Sequence, residues 1–168
     1  YAYVEGGVAS YDLPINGFQT VQQGPVEMKL GLMAGEGDVG ITGDYFRIQK
    51  VSDATWMNLN HGGNATNNFF NGSIYTGGNT RNPNLTNNTG VDISMFNIPN
   101  NNNSVITNNQ TSTTFRYGST QDTYIIFCIA MAVDAYVPIV EGLNTIESMG
   151  GVPYTPGDPL ITYPGDTL

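Results

Sequence analysis

Basic residues are nearly missing from this chain. Lys29, Arg47, Lys50, Arg81 and Arg116 are the whole set, scattered without a run or stripe, and the formal net charge is −9. Nucleic-acid binding needs cations clustered against phosphates, so that class of partner is excluded. The same charge disfavours an anionic membrane surface. Charged residues of both signs make up only 11% of the sequence, against roughly 25% in ordinary soluble proteins. Solubility must therefore come from Asn, Thr, Ser and Gly, or from attached sugar.

Histidine and cysteine occur once each, as His61 and Cys128. A structural zinc site takes Cys and His ligands in a set larger than this chain offers. A lone cysteine forms no intrachain disulfide. Inside the apolar run Tyr124 to Val133, Cys128 reads as a small core hydrophobe without a redox role. Extracellular stability would then come without disulfides, and the cysteine count does not fix the compartment. A Ser–His–Asp triad would have to use His61, which lies between Asn60 and Gly62-Gly63, and no Gly-x-Ser-x-Gly elbow occurs. No carboxylate pair is singled out for glycoside hydrolysis. The reading is a protein that is not an enzyme, with no catalytic residue, no metal ligand set and no resident cofactor.

Long hydrophobic runs are also absent. Tyr124 to Val133 is the longest, about half of the ~20 residues a membrane-spanning helix needs, so no membrane span is expected in this chain. The opening Tyr1-Ala2-Tyr3-Val4-Glu5 has neither a basic nor an apolar signal region, so a secreted form would carry it as a processed start. No capped helix of three turns can be found.

What is present is a set of short alternating strands. In Val26 to Leu32, Val26, Met28, Leu30 and Leu32 point one way and Glu27, Lys29 and Gly31 the other. Asp44 to Val51 is a second strand, with Phe46 and Ile48 inward. Glycine-dense Gly35 to Gly43 suits turns or a hairpin with a short middle strand. Ala54 to Leu59 carries the only tryptophan, Trp56; Val91 to Ile98 and Thr113 to Tyr117 complete the regular set. Thr123 to Val133 is continuously apolar from Tyr124 on, and its β-branched and aromatic first half favours a central strand buried on both faces over a buried helix. On that reading Phe127, Cys128 and Ile129 are core residues. Leu143 to Met149 reads as a short strand or helical turn. The tail from Gly150 to Leu168 is proline-rich and extended, with Pro156-Gly157-Asp158 echoed by Pro164-Gly165-Asp166 around a strand-like Leu160 to Tyr163. Eight or nine short strands with glycine turns predict an all-β fold, a β-sandwich or jelly roll, in a single domain over 1–168.

All asparagines but Asn16 and Asn144 fall between 58 and 109, where Arg81 and Asp92 are the only charges. This zone reads as long surface loops around one or two short strands. It holds every Asn-x-Ser/Thr acceptor in the chain, at Asn64, Asn71, Asn84, Asn87, Asn102 and Asn109. Covalent glycans on at least one of them are expected. A zone this rich in Asn, Ser and Thr also generates such triplets by composition alone.

Three further patterns occur in the sequence. Gly35-x-Gly37-x-x-Gly40 matches the dinucleotide fingerprint as a string, but Ile41-Thr42-Gly43-Asp44 opens no helix to receive a pyrophosphate. Glu36, Asp38 and Asp44, with Asp158 and Asp166 in the tail, are candidate Ca²⁺ ligands, though no spacing forms an EF-hand loop. Trp56 and the tyrosines could build a sugar-stacking face or simply fill the core.

In composition and layout the chain resembles secreted β-sandwich filament subunits, pilin-like proteins that exchange strands. The features behind the resemblance are extended ends, a core with few charges and a polar decorated zone. The resemblance implies an extracellular or cell-surface structural protein that forms homo-oligomers or helical polymers by strand complementation. Tyr1, Ala2, Tyr3 and Val4, within the stretch Tyr1 to Val8, are the expected assembly residues, with Gly6-Gly7 behind them as a hinge. The alternative is a carbohydrate-binding, lectin-like module of a secreted protein.

Overall fold

The computed structural model describes residues 1–7, 10–85, 88–138, 148–149, 152–153 and 155. The chain divides into two compact units, Tyr1–Val137 and Pro138–Leu168, where the sequence reads as one domain. Strands hold 43% of the residues and helix 2%, in two main sheets, an all-β sandwich.

In the first unit the strands are β1 (Ala2–Val4), β2 (Tyr11–Asn16), β3 (Met28–Gly35), β4 (Tyr45–Gln49), β5 (Trp56–Asn58), β6 (Ile74–Thr76), β7 (Val91–Ile98), β8 (Ser112–Gly118) and β9 (Tyr124–Val133). One sheet runs β1-β9-β3-β7-β6 and the other β2-β8-β4-β5. All neighbours are antiparallel except β6 and β7, which are parallel. In the second unit β10 (Ser148–Met149) pairs antiparallel with β11 (Val152–Pro153). Of the expected strand or helical turn Leu143 to Met149, residues 143–147 lie outside the described residues, as does Leu160 to Tyr163.

The alternating strands form where side chains of period two can be buried on one face. Val26, Met28, Leu30 and Leu32 are all buried, as are Phe46 and Ile48 of β4 and Phe115 and Tyr117 of β8. Each such large apolar side chain contributes about 1.5–3 kcal/mol on leaving water. The rings of Phe46 and Phe115 stack at 5.3 Å, joining β4 to β8 inside the core. Between β3 and β4, residues 36–43 form turns without a strand. No helix opens after Gly40, so the glycine string is a turn.

The asparagine-rich zone is more than a coat. It contributes Leu59, Phe69, Phe70, Val105 and Ile106 to the buried core. Its amides replace missing ladder bonds. Asn100 Oδ1 accepts from the N–H of Val105 at 2.9 Å and of Ile106 at 3.1 Å, while its Nδ2 donates to the carbonyls of Val26 and Ile106, both at 2.8 Å. Asn103 and Asn108 donate to the carbonyl of Gly24, tying the same loop to the chain before β3. The surface-loop expectation is thus corrected: loops they are, but loops that pack.

β9 departs most from expectation. It is a strand, yet only Ile125 and Ile126 have neighbours on both sides, β1 and β3. A bulge follows. Ala34 sits opposite Ile126 and Met33 opposite Cys128, which leaves Phe127 unmatched. Phe127 is 49% exposed and Cys128 is exposed; only Ile129 keeps part of its expected burial. The physical reason is the missing second neighbour. Burial on both faces and both edges needs a central position along the whole strand, and β9 has that only at Ile125 and Ile126.

Candidate functional site

Beyond Ile126, no described strand pairs with β9 on the side away from β3. Ile129, Met131 and Val133 lie opposite Leu32, Leu30 and Met28, so they face inward. They are only partly buried, because the sandwich is open along this margin. The margin of the other sheet is β2, which pairs with β8 alone. Its Leu13 and Ile15 are also partly buried against the core. Between the two margins runs an apolar groove of about 340 Å³, lined by Leu13, Ile15, Tyr117, Phe127, Cys128 and Ile129 among others. Pro14 removes one N–H donor from β2. β9 carries no proline and no charge, so it keeps its donors and acceptors.

The expected assembly residues adjoin this groove. Ala2, Tyr3 and Val4 form β1 and pair with Ile126, Ile125 and Tyr124 of their own chain. Val4 is fully buried, Tyr1 is 98% exposed and Tyr3 60%. The stretch is therefore a strand of its own sheet rather than a free arm. Gly6 is held tightly: a Cβ there would lie 1.9 Å from the Gln121 carbonyl oxygen. Gly7 takes φ +83°. Val8 lies outside the described residues.

The acceptor asparagines separate into two groups. Asn64 is locked, accepting from the N–H of His61 at 2.8 Å and donating to the Phe69 carbonyl at 2.9 Å. Asn71 donates to the Gly63 carbonyl at 3.1 Å. Asn84 and Asn102 are exposed, and their side chains hold no hydrogen bond among the described residues. Asn109 is exposed with a long bond of 3.4 Å to the Gln22 carbonyl. Asn87 lies outside the described residues.

A second cavity, about 370 Å³, is polar and lies elsewhere, lined by Lys29, Asn60, His61, Tyr75, Asn79 and Asn97 among others. His61 stacks on Tyr75 at 4.6 Å with 9° between the rings. Its Nδ1 accepts from the Gly63 N–H at 3.0 Å, which places the proton on Nε2, 2.8 Å from Ser94 Oγ. Burial holds His61 down to a pKa of about 4. The Arg116 guanidinium covers one face of the Trp56 ring at 3.9 Å.

Of the acids in the glycine turn, Glu36 and Asp38 are exposed and Asp44 is fully buried. Asp158 and Asp166 lie outside the described residues. Asp44 is joined by Asp92 and Asp122, which sequence reasoning missed; burial first, then mutual repulsion, pushes all three up to about 6. A signal existed for Asp92, which occupies the inward phase of β7 with Ser94, Phe96 and Ile98. Among the described residues, no three Asp, Glu, His or Cys side chains could share one metal ion. No described helix is long and apolar enough to cross a membrane. No protein-family model, curated protein or solved structure matches this chain.

Proposed function

We propose that this chain is a structural subunit of an extracellular filament or surface layer, assembled by strand addition between copies and carrying sugar on its exterior. One observation carries the reading: the uncharged margin Phe127–Val133, with no described strand beside it, against an apolar groove. An exposed strand margin is a template for another strand, main-chain bonds providing affinity and side-chain pockets register. The proposed occupant is a strand of a second copy. β1 is the preferred donor, because the ladder it makes with its own β9 is only three residues long; released from it, the segment can pair along the open margin of a neighbour's β9 instead. Such an exchange is head-to-tail and yields open polymers unless its rotation closes a ring.

The test places charge on the margin without touching the core. Cys128→Lys and Ala130→Lys lie on the outward face of β9. The double variant should stay folded and monomeric under conditions where the unaltered chain polymerises by electron microscopy and light scattering. A chain that stays monomeric throughout, or a double variant that polymerises normally, defeats the reading. Deleting residues 1–8 identifies the donor: continued assembly of that variant points to another segment.

The carbohydrate-binding alternative is favoured by the polar cavity, where three asparagine amides and Lys29 surround the His61–Tyr75 stack. A glycan array separates the two. Dispersed monomers that retain a sugar, and lose it with Tyr75→Ala, support the alternative.

A further inference from the structure

Asp44 precedes β4, Asp92 is the second residue of β7 and Asp122 precedes β9; their exposures are 0%, 1% and 1%. One oxygen of each accepts backbone N–H groups. Asp44 Oδ1 accepts from Phe70 at 2.8 Å, Asp92 Oδ1 from Asn71 at 3.0 Å and Ser73 at 3.2 Å, and Asp122 Oδ2 from Asp38 at 3.3 Å. These bonds gather the loops 36–44 and 68–73 around the start of β9. They leave over two oxygens, Asp44 Oδ2 and Asp92 Oδ2, which are fully buried and have no hydrogen-bond partner. A buried carboxylate oxygen without a donor is costly, so each such atom calls for an explanation.

The surroundings of Asp92 Oδ2 supply one. A Cβ built on Gly37 would lie 2.4 Å from this oxygen and 2.4 Å from the Phe70 carbonyl oxygen. A carboxylate and a carbonyl therefore converge on the bare side of Gly37. Both are acceptors, so what lies between them to advantage is a cation, a proton or the O–H groups of a water. No basic side chain serves. Lys50 pairs with Asp53 and Arg116 with Asp12. Arg47 bonds Asn58 and covers Tyr45. Arg81 is held by backbone carbonyls of its own loop, and Lys29 lines the distant polar cavity. Beside the cluster, a cavity of about 470 Å³ lined by Glu36, Asp38, Val39, Thr89 and Gly90 opens to solvent.

We propose that Asp92 and Asp44, with the Phe70 carbonyl and water, bind one Ca²⁺ ion that clamps the loops at this end of the sandwich. The donors are all oxygen, without a nitrogen or sulfur among them, which favours Ca²⁺ over zinc or copper. They come from irregular loops, and Ca²⁺ accepts six to eight oxygens in loose geometry where Mg²⁺ demands an octahedron. Two carboxylates are fewer than the tightest sites use, so affinity belongs in the range of extracellular modules, about 10⁻⁴–10⁻³ M.

The test is calorimetric titration of EDTA-treated, dialysed full-length protein with CaCl₂ and, separately, MgCl₂. A saturable 1:1 isotherm with Ca²⁺, weaker by at least about tenfold with Mg²⁺, supports the site. Asp92→Asn and Asp44→Asn should each weaken Ca²⁺ by about tenfold or more, while Asp53→Asn leaves it unchanged. Should the cluster variants fail to fold, Tb³⁺ luminescence on the unaltered protein decides. Sensitised emission through Tyr124, whose ring stacks on Phe70, displaced by Ca²⁺, supports the site. Absence of both saturable heat and sensitised emission up to about 10 mM ion, or Mg²⁺ binding as tightly as Ca²⁺, overturns it.

Discussion

Phe70 and Tyr124 lie face to face, their ring centroids 3.9 Å apart and their planes 19° from parallel. This stack joins the asparagine-rich loop to the first residue of β9, and both rings are fully buried. The Tyr124 hydroxyl donates to the Gly118 carbonyl at 3.2 Å. A polar-looking segment is thus fastened to the centre of the sandwich by an aromatic pair.

Phe70→Ala should cost about 3–5 kcal/mol, the range for removing a packed aromatic from a core. Phe127→Ala should cost about 1 kcal/mol or less, since that ring lies half in solvent over Gly35. Urea denaturation of the two variants measures both. Similar costs would contradict the placement of β9.

The His61 ring should make stability depend on pH in one direction. Its folded pKa of about 4 lies below the unfolded value of 6.5, so the unfolded chain binds the extra proton. The contribution is intact above pH 6.5 and is lost as pH falls from there toward 4, up to about 3 kcal/mol. The buried aspartates act oppositely, so the measurement is the difference between the unaltered chain and His61→Gln across pH 4–7.5. That difference should shrink as pH falls. A flat difference would mean the imidazole is not buried neutral.

Sugar should be found on Asn84 and Asn102, and not on Asn64 or Asn71. The first two amides are free and exposed; the second two are bonded into the loop. Glycopeptide mass spectrometry of natively sourced protein reads the outcome. Full occupancy at Asn64 would require a loop conformation different from this one.

Asn100→Ala should destabilise by at least about 2 kcal/mol, because two backbone N–H groups and two carbonyls lose their partner together. Asn100→Asp keeps the acceptor and should cost less. Thermal melts of the pair suffice, and equal losses would argue against the donor half of the arrangement.

Strands with a clean period of two were legible from sequence: Val26 to Leu32, Val91 to Ile98 and Thr113 to Tyr117 all lie within or largely within observed strands. β9 was legible as a strand but not as a margin. A continuous apolar run records that neither face is charged, and says nothing of how many neighbours flank it. β6 went unseen because Ile74-Tyr75-Thr76 is too short to show a period. Phe69-Phe70 and Val105-Ile106 are adjacent apolar pairs in polar surroundings, and pairs carry no periodicity at all. The acid cluster was half legible: Asp44 stood out in its glycine turn, whereas Asp122 reached it only through the fold. The cis pairing of Ala2–Val4 with β9 is a long-range match that composition does not encode.

The bulge at Phe127 also acts as a selector between two possible interiors. Past that residue β9 carries two uncharged faces, one of Ile129, Met131 and Val133, the other of Cys128, Ala130 and Ala132. The extra residue turns the bulky set toward Leu32, Leu30 and Met28 and the small set outward. Deleting Phe127 would leave Cys128 opposite Met33 and Ile129 opposite Leu32, whereas pairing Phe127 itself in regular register would invert the choice, setting a thiol and two methyl groups where the groove has its bulky side chains. One inserted position thus decides whether an incoming strand meets a deep apolar wall or a shallow one.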